Sequence, residues 1–149
     1  MFQDSIKMTG DLKIVLTDEN GQIKQEQEVK NLVVTVGKNF IASSMAKTTT
    51  NSPAAMTHMA IGAGTTAAAA GDTTLGSSLG RVALTSTTVT TNNVAYVATF
   101  PAGTGTGAVT EAGLFNDPSA GTLLCRTVFS VINKGAADTL GITWTVTVN

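Results

Sequence analysis

The stretch "TLGITWTVTV" (Thr139–Val148) alternates Ile142, Trp144, Val146 and Val148 with Thr143, Thr145 and Thr147. A period of two puts one set of side chains on each face of a strand, so this segment reads as β with one face buried. Threonine and valine support that reading, because a branched Cβ packs well on a pleated surface.

The same punctuation continues upstream. "NKGAAD" (133–138) is a turn, and "TLLCRTVFSVI" (122–132) before it is a strand. "NDPSAG" (116–121) is a turn after the strand "AVTEAGLF" (108–115), and "PAGTGTG" (101–107) is a loop. The runs 82–91 and 94–100 flank Asn92 and Asn93, residues that tolerate left-handed φ, which predicts a hairpin. Near the start, Leu12, Ile14 and Leu16 face one way and Lys13 and Thr17 the other. "DENG" (18–21) turns the chain into a mostly polar arm, 23–29, placed either at a sheet edge or projecting from the body. Residues 31–36 read as a buried strand and 37–47 as one short helix, with Phe40, Ile41, Ser44 and Met45 on one side. A loop at 48–55, marked by Pro53, leads to a strand at 56–62, and Asp72 then fits the N-cap of a single helical turn carrying Leu75 and Leu79.

These signals give about eight or nine strands separated by frequent turns, the pattern of an antiparallel β-sandwich or jelly roll. The expectation is one all-β domain over 1–149, with one short helix and an N-terminal hairpin at 11–30. Its predicted core holds Phe40, Tyr96, Phe100, Phe115, Phe129 and Trp144. The polar N-terminus has no apolar run like that of a signal peptide, and no apolar run is long enough to span a membrane.

Charged residues make up only 13% of the chain and the net charge is −1. That balance does not favour direct nucleic-acid binding, and a charge-poor surface is one that other protein surfaces can cover. The glycine-rich segment "GAGTTAAAAG" (62–71) raises the question of a phosphate loop. It lacks the Gly-Lys-Ser/Thr that such a loop needs, and no long helix or βαβ unit follows it. The single histidine, His58, lies in a strand pattern, and the single cysteine, Cys125, alternates with Leu123, Thr127 and Phe129. Both read as packing residues, and the pair cannot furnish a zinc site unaided. Glu111 is the one charge inside "AVTEAGLF". Arg81 and Arg126 each stand at the edge of an apolar run, so Glu111, Arg81 and Arg126 are candidates for a structural ion pair. A second catalytic carboxylate is not evident, because Asp72, Asp117 and Asp138 all sit in turn sequences. No catalytic residue, cofactor, metal or small-molecule substrate is expected.

Several motifs, in order, carry a resemblance: "NLVVTVGKNFIASSM", "MTHMAIGAGTT", "DTTLGSSLGR", "TEAGLFN" and "LLCRTVFSVINKGAADTLGITWTVTV". Together they resemble a family of short virion structural proteins of tailed bacteriophages, over roughly residue 31 to the end. The resemblance implies no catalytic residues. It implies a capsid decoration, or cement, protein that assembles as a homotrimer on the major capsid protein at the outer surface of the capsid, after synthesis in the cytoplasm of the bacterial host. The alternative it leaves is a tail-fibre or head-appendage component involved in attachment. Strand addition through the 11–30 hairpin is the expected docking mode.

Overall fold

The computed structural model describes residues 4–46 and 52–149, and these form an all-β sandwich. Ten strands and one helix run in the order β1 (Met8–Thr17), β2 (Ile23–Lys30), β3 (Leu32–Val33), α1 (Thr35–Ala46), β4 (His58–Gly62), β5 (Ser78–Ala83), β6 (Ser86–Thr90), β7 (Asn93–Phe100), β8 (Gly107–Phe115), β9 (Leu123–Lys134) and β10 (Thr139–Val148). The first sheet has the order β2-β1-β10-β7-β6 and the second β3-β9-β8-β4-β5. All pairings are antiparallel.

The alternation of β10 works as its sequence predicts. Leu140, Ile142, Trp144 and Val146 turn inward against β1's Leu12, Ile14 and Leu16, and Trp144 pairs directly with Leu12 and Tyr96 across the sheet. From the second sheet, Met59, Ile61, Val109, Leu114, Cys125 and Ile132 complete one continuous core. Burying each large apolar side chain contributes about 1.5–3 kcal/mol, which makes this layer the main source of stability. A smaller cluster of Val34, Ala60, Leu75, Phe115 and Leu123 forms where residues 63–77 and the start of α1 cover the second sheet. Of the predicted core, Phe100, Phe115, Phe129 and Trp144 are buried, Phe115 in the smaller cluster. Phe40 and Tyr96 are only partly buried and pack against the main core from its margin.

Of the two placements expected for the polar arm of the 11–30 hairpin, the sheet edge is the one found and the projecting arm is not; four other expectations are corrected. β1 pairs with β10 along its whole length, Met8 to Val148 through Thr17 to Thr139, and so lies inside the sheet. Of the two hairpin strands only β2 is an edge, and its Gln25 and Gln27 side chains donate to the β9 carbonyls of Val131 and Ser130. Residues 31–36 are not a strand throughout: after Leu32–Val33 the chain enters α1 at Thr35, and the Val34 carbonyl accepts from Lys38 N–H. The cause is close packing. Gly37 presses against β9, where a Cβ would run into the Leu124 carbonyl, and tertiary contact overrides the strand propensity of Thr35 and Val36.

Residues 82–91 form two strands in different sheets. β5 pairs with β4 and β6 with β7, and the change of sheet falls at Leu84 and Thr85. The turn after β6 is Thr91–Asn92, one residue earlier than predicted, with Thr91 itself at φ 50°. Finally, no helical turn follows Asp72: Leu75 is in irregular chain, and Leu79 lies in β5.

Candidate functional site

The 63–77 crossover lies over the outward face of the second sheet, and a single buried carboxylate holds it there. Glu111 sits in β8 between Thr110 and Ala112 and is fully buried. Its Oε1 accepts from the backbone N–H of Gly64 at 2.8 Å and of Ser77 at 2.7 Å. Its Oε2 accepts from Gly76 N–H at 2.9 Å and from Arg126 Nε at 2.9 Å, with Arg126 Nη2 2.8 Å away. The neighbouring Thr110 hydroxyl donates to the Gly64 carbonyl at 2.8 Å. Three backbone amides and one guanidinium thus converge on one carboxylate, each a charge-assisted hydrogen bond stronger than a neutral one.

The glycines make this approach possible. A Cβ on Gly64 would stand 2.5 Å from Glu111 Oε1, and one on Gly62 would meet the Ser77 carbonyl. Side chains at these positions would push the crossover off the carboxylate.

Arg126, from β9, is almost wholly buried and links three pieces of chain. Besides Glu111, its Nη1 donates to Asp72 Oδ2 at 2.8 Å and its Nη2 to the Thr66 carbonyl at 3.1 Å. The Asp72 carboxylate also accepts from Ala69 N–H at 2.9 Å, while the Ala70 carbonyl accepts from Thr35 N–H at the start of α1. One network therefore ties β8, β9, the crossover and the helix together.

Burial alone would push the Glu111 carboxyl up, but the N–H groups of Gly76 and Ser77, the Arg126 guanidinium and the Gly64 N–H outweigh it and hold the group below its ordinary value. The Ala69 N–H is the largest influence on Asp72; with Arg126 it exceeds the effect of desolvation and holds that carboxyl low as well. Two carboxylates that stay ionised and share one arginine are poor proton donors near neutral pH, since acid–base work needs a pKa near the operating pH.

Arg81 does not join this network. Its guanidinium lies 3.7 Å from the centre of the Phe115 ring and donates to the carbonyls of Asp117 at 3.0 Å and Ala120 at 2.9 Å. It closes the β8–β9 turn, and burial lowers its pKa. Asp72 is the member that sequence reasoning missed. Its position in a turn sequence suited an N-cap, and nothing local marks its partner Arg126, 54 residues away.

A second polar cluster ties the β9–β10 turn to its neighbours. Lys134 is buried and donates to the carbonyls of Asp138 at 2.7 Å and Pro101 at 3.0 Å, while Asp138 Oδ2 pairs with Lys24 of β2 at 2.8 Å. His58 Nδ1 lies 2.8 Å from the Thr57 hydroxyl, and Cys125 is free and buried. Among the described residues, no three His, Cys, Asp or Glu side chains gather to hold a metal ion, and no helix is long and apolar enough to cross a membrane. An apolar groove of about 610 Å³ runs between α1 and the start of β1, lined by Ile6, Met8, Leu32, Ile41 and Met45. Ile6 and Met45 are largely exposed there.

No family model, curated protein or solved structure matches this chain.

Proposed function

We propose that this protein is a structural component of a tailed-bacteriophage particle, a decoration protein that binds the major capsid protein on the outer surface of the shell and braces neighbouring subunits. One observation carries the reading. The buried Glu111 and Arg126 and the half-buried Asp72 beside them have their hydrogen bonds directed at the chain's own backbone and at one another. Such a network cross-links a long irregular crossover to a sheet and stiffens it, which suits a protein whose work is mechanical. The motifs behind the resemblance supply these same residues: Gly62 and Gly64 from "IGAGTT", Asp72, Gly76 and Ser77 from "DTTLGSSLGR", Glu111 from "TEAGLFN" and Arg126 from "LLCRT". A surface poor in charge supports assembly with other protein surfaces, each contact removing apolar area from water.

In this reading the protein acts as a homotrimer and needs neither cofactor nor substrate. Quantitative mass spectrometry of purified particles of a phage encoding the chain tests it. The expected result is a copy number comparable to that of the major capsid protein. A few copies per particle would place the chain in a tail fibre or head appendage instead, and its absence from particles would overturn the reading altogether.

A further inference from the structure

The two edges of the first sheet are built differently. β2 carries Lys24, Glu26, Glu28 and Lys30, and its Gln25 and Gln27 side chains are tied to β9. Charges on an edge strand discourage pairing with another chain. β6 has no such protection. Its five residues, Ser86–Thr90, are all exposed, Val89 by 70%. From residue 82 to residue 109 there is no Asp, Glu, Lys or Arg.

The hydrogen-bonding direction of this edge follows from its turn. Thr91 and Asn92 form a two-residue loop closed by the Thr90–Asn93 pair. Antiparallel alternation then directs the backbone groups of Thr88 and Thr90 toward β7 and leaves those of Thr87 and Val89 pointing outward.

We propose that β6 is a self-association seam, at which two copies of this chain pair their β6 strands antiparallel about a twofold axis through Thr88. In that register Thr87 of each copy faces Val89 of the other, and their outward N–H and C=O groups satisfy one another. Thr88 faces its own counterpart and Ser86 faces Thr90. Cross-strand Thr–Thr and β-branched pairs are favourable, and an uncharged edge meets no like charge in its own copy. A charged edge such as β2 would find nothing on β6 to neutralise it, so charge complementarity selects β6 itself. The outcome is two five-stranded sheets joined into one. A twofold seam joins chains in pairs, so in a trimeric decoration protein it links neighbouring trimers. The seam does not depend on that assignment.

A five-residue seam is small beside the roughly 1,200 Å² that stable interfaces bury, so pairing is expected to depend on concentration. Sedimentation velocity of the full chain from micromolar to millimolar concentration tests the proposal. The wild type should move from 15.2 kDa toward twice that mass. Thr88→Lys and Thr88→Glu place like charges face to face across the axis, and each alone should stay monomeric. An equimolar mixture of the two should pair again, which a folding defect could not produce. Val89→Pro removes one outward N–H without adding charge and should also abolish pairing. Wild type that stays monomeric at millimolar concentration overturns the proposal, as does an oligomer untouched by these substitutions. A monomeric wild type whose Thr88→Lys variant no longer enters particles also overturns it, because a shell protein would then be what occupies the edge.

Discussion

Replacing Glu111 is the sharpest test of the crossover lock. Glu111→Ala strips a buried acceptor from three backbone amides, those of Gly64, Gly76 and Ser77, and from Arg126. Breaking a buried ion pair from one side costs about 3–5 kcal/mol. Each orphaned buried donor carries its own penalty of about 1–3 kcal/mol, which relaxation of the crossover toward water reduces. A net loss of about 3–5 kcal/mol is therefore expected. At about 2–4 °C per kcal/mol for a chain of this size, Tm should fall by roughly 6–20 °C. Arg126→Met should fall at the low end of the range for breaking a buried pair, about 3 kcal/mol, because Glu111, though it loses its cation, keeps its three amide donors and the half-buried Asp72 can turn to water. Urea unfolding followed by the fluorescence of the fully buried Trp144 reads both variants. The double variant should lie well short of the sum of the singles, since the two side chains share one interaction. Glu111→Ala within 1 kcal/mol of wild type, or a larger loss from Arg126→Met than from Glu111→Ala, would refute the claim that the carboxylate is what holds the crossover.

The Glu111 and Asp72 carboxyls are both depressed in the folded state, so their stabilising contribution is fully present above the ordinary carboxylate values and is lost as pH falls through the lowered ones. Acid titration of unfolding free energy should show this fall in wild type and a shallower one in Glu111→Gln. Gly64→Ala should destabilise by about 1–3 kcal/mol by driving a Cβ at Glu111 Oε1, while Gly71→Ala, in open space, should stay within about 0.5 kcal/mol on the same urea curves. Burial pushes the Cys125 thiol up, with only partial relief from the neighbouring Asn31 side chain, so a thiol reagent should modify the native protein no faster than it unfolds globally. Deleting residues 1–30 removes β1 and its buried Leu12, Ile14 and Leu16; loss of the native near-ultraviolet circular dichroism is expected, and a folded product would show that β1 is dispensable.

Strands with one face on the core were legible from sequence because burial imposes the period directly. β1 and β10 pair residue for residue over ten positions, and each shows the alternation plainly. Elements whose shape is set by distant contacts were not. Thr35 and Val36 favour strand, yet they open α1 because Gly37 seats the helix on Leu124. Residues 82–91 form one continuous Thr- and Val-rich run, yet Leu84 N–H donates to the Thr57 carbonyl and Thr85 N–H to the Val97 carbonyl, so adjacent residues serve different sheets. No glycine or proline marks that change. The ion pair between Glu111 and Arg126 spans fifteen residues on neighbouring strands, within reach of pattern reasoning, whereas the Gly64 and Asp72 contacts span 47 and 54.

The glycine-rich segment shows where the missing information lay. Its lack of a lysine argued against a phosphate loop, yet its Gly64 amide, together with those of Gly76 and Ser77 at the far end of the crossover, does what the amides of such loops do, converging on an anion with a cation alongside. The anion is the chain's own Glu111, and the cation is Arg126 of β9, 60 residues beyond Thr66, whose carbonyl it also holds. A motif search reads the cradle locally and finds no ligand for it. The fold supplies the ligand from within, so converging amides of the kind that can hold a free anion here fasten a long crossover to the sheet beneath it. The choice between those outcomes was carried by one acidic residue in an otherwise uncharged strand, and that residue is the signal through which sequence could have found the site.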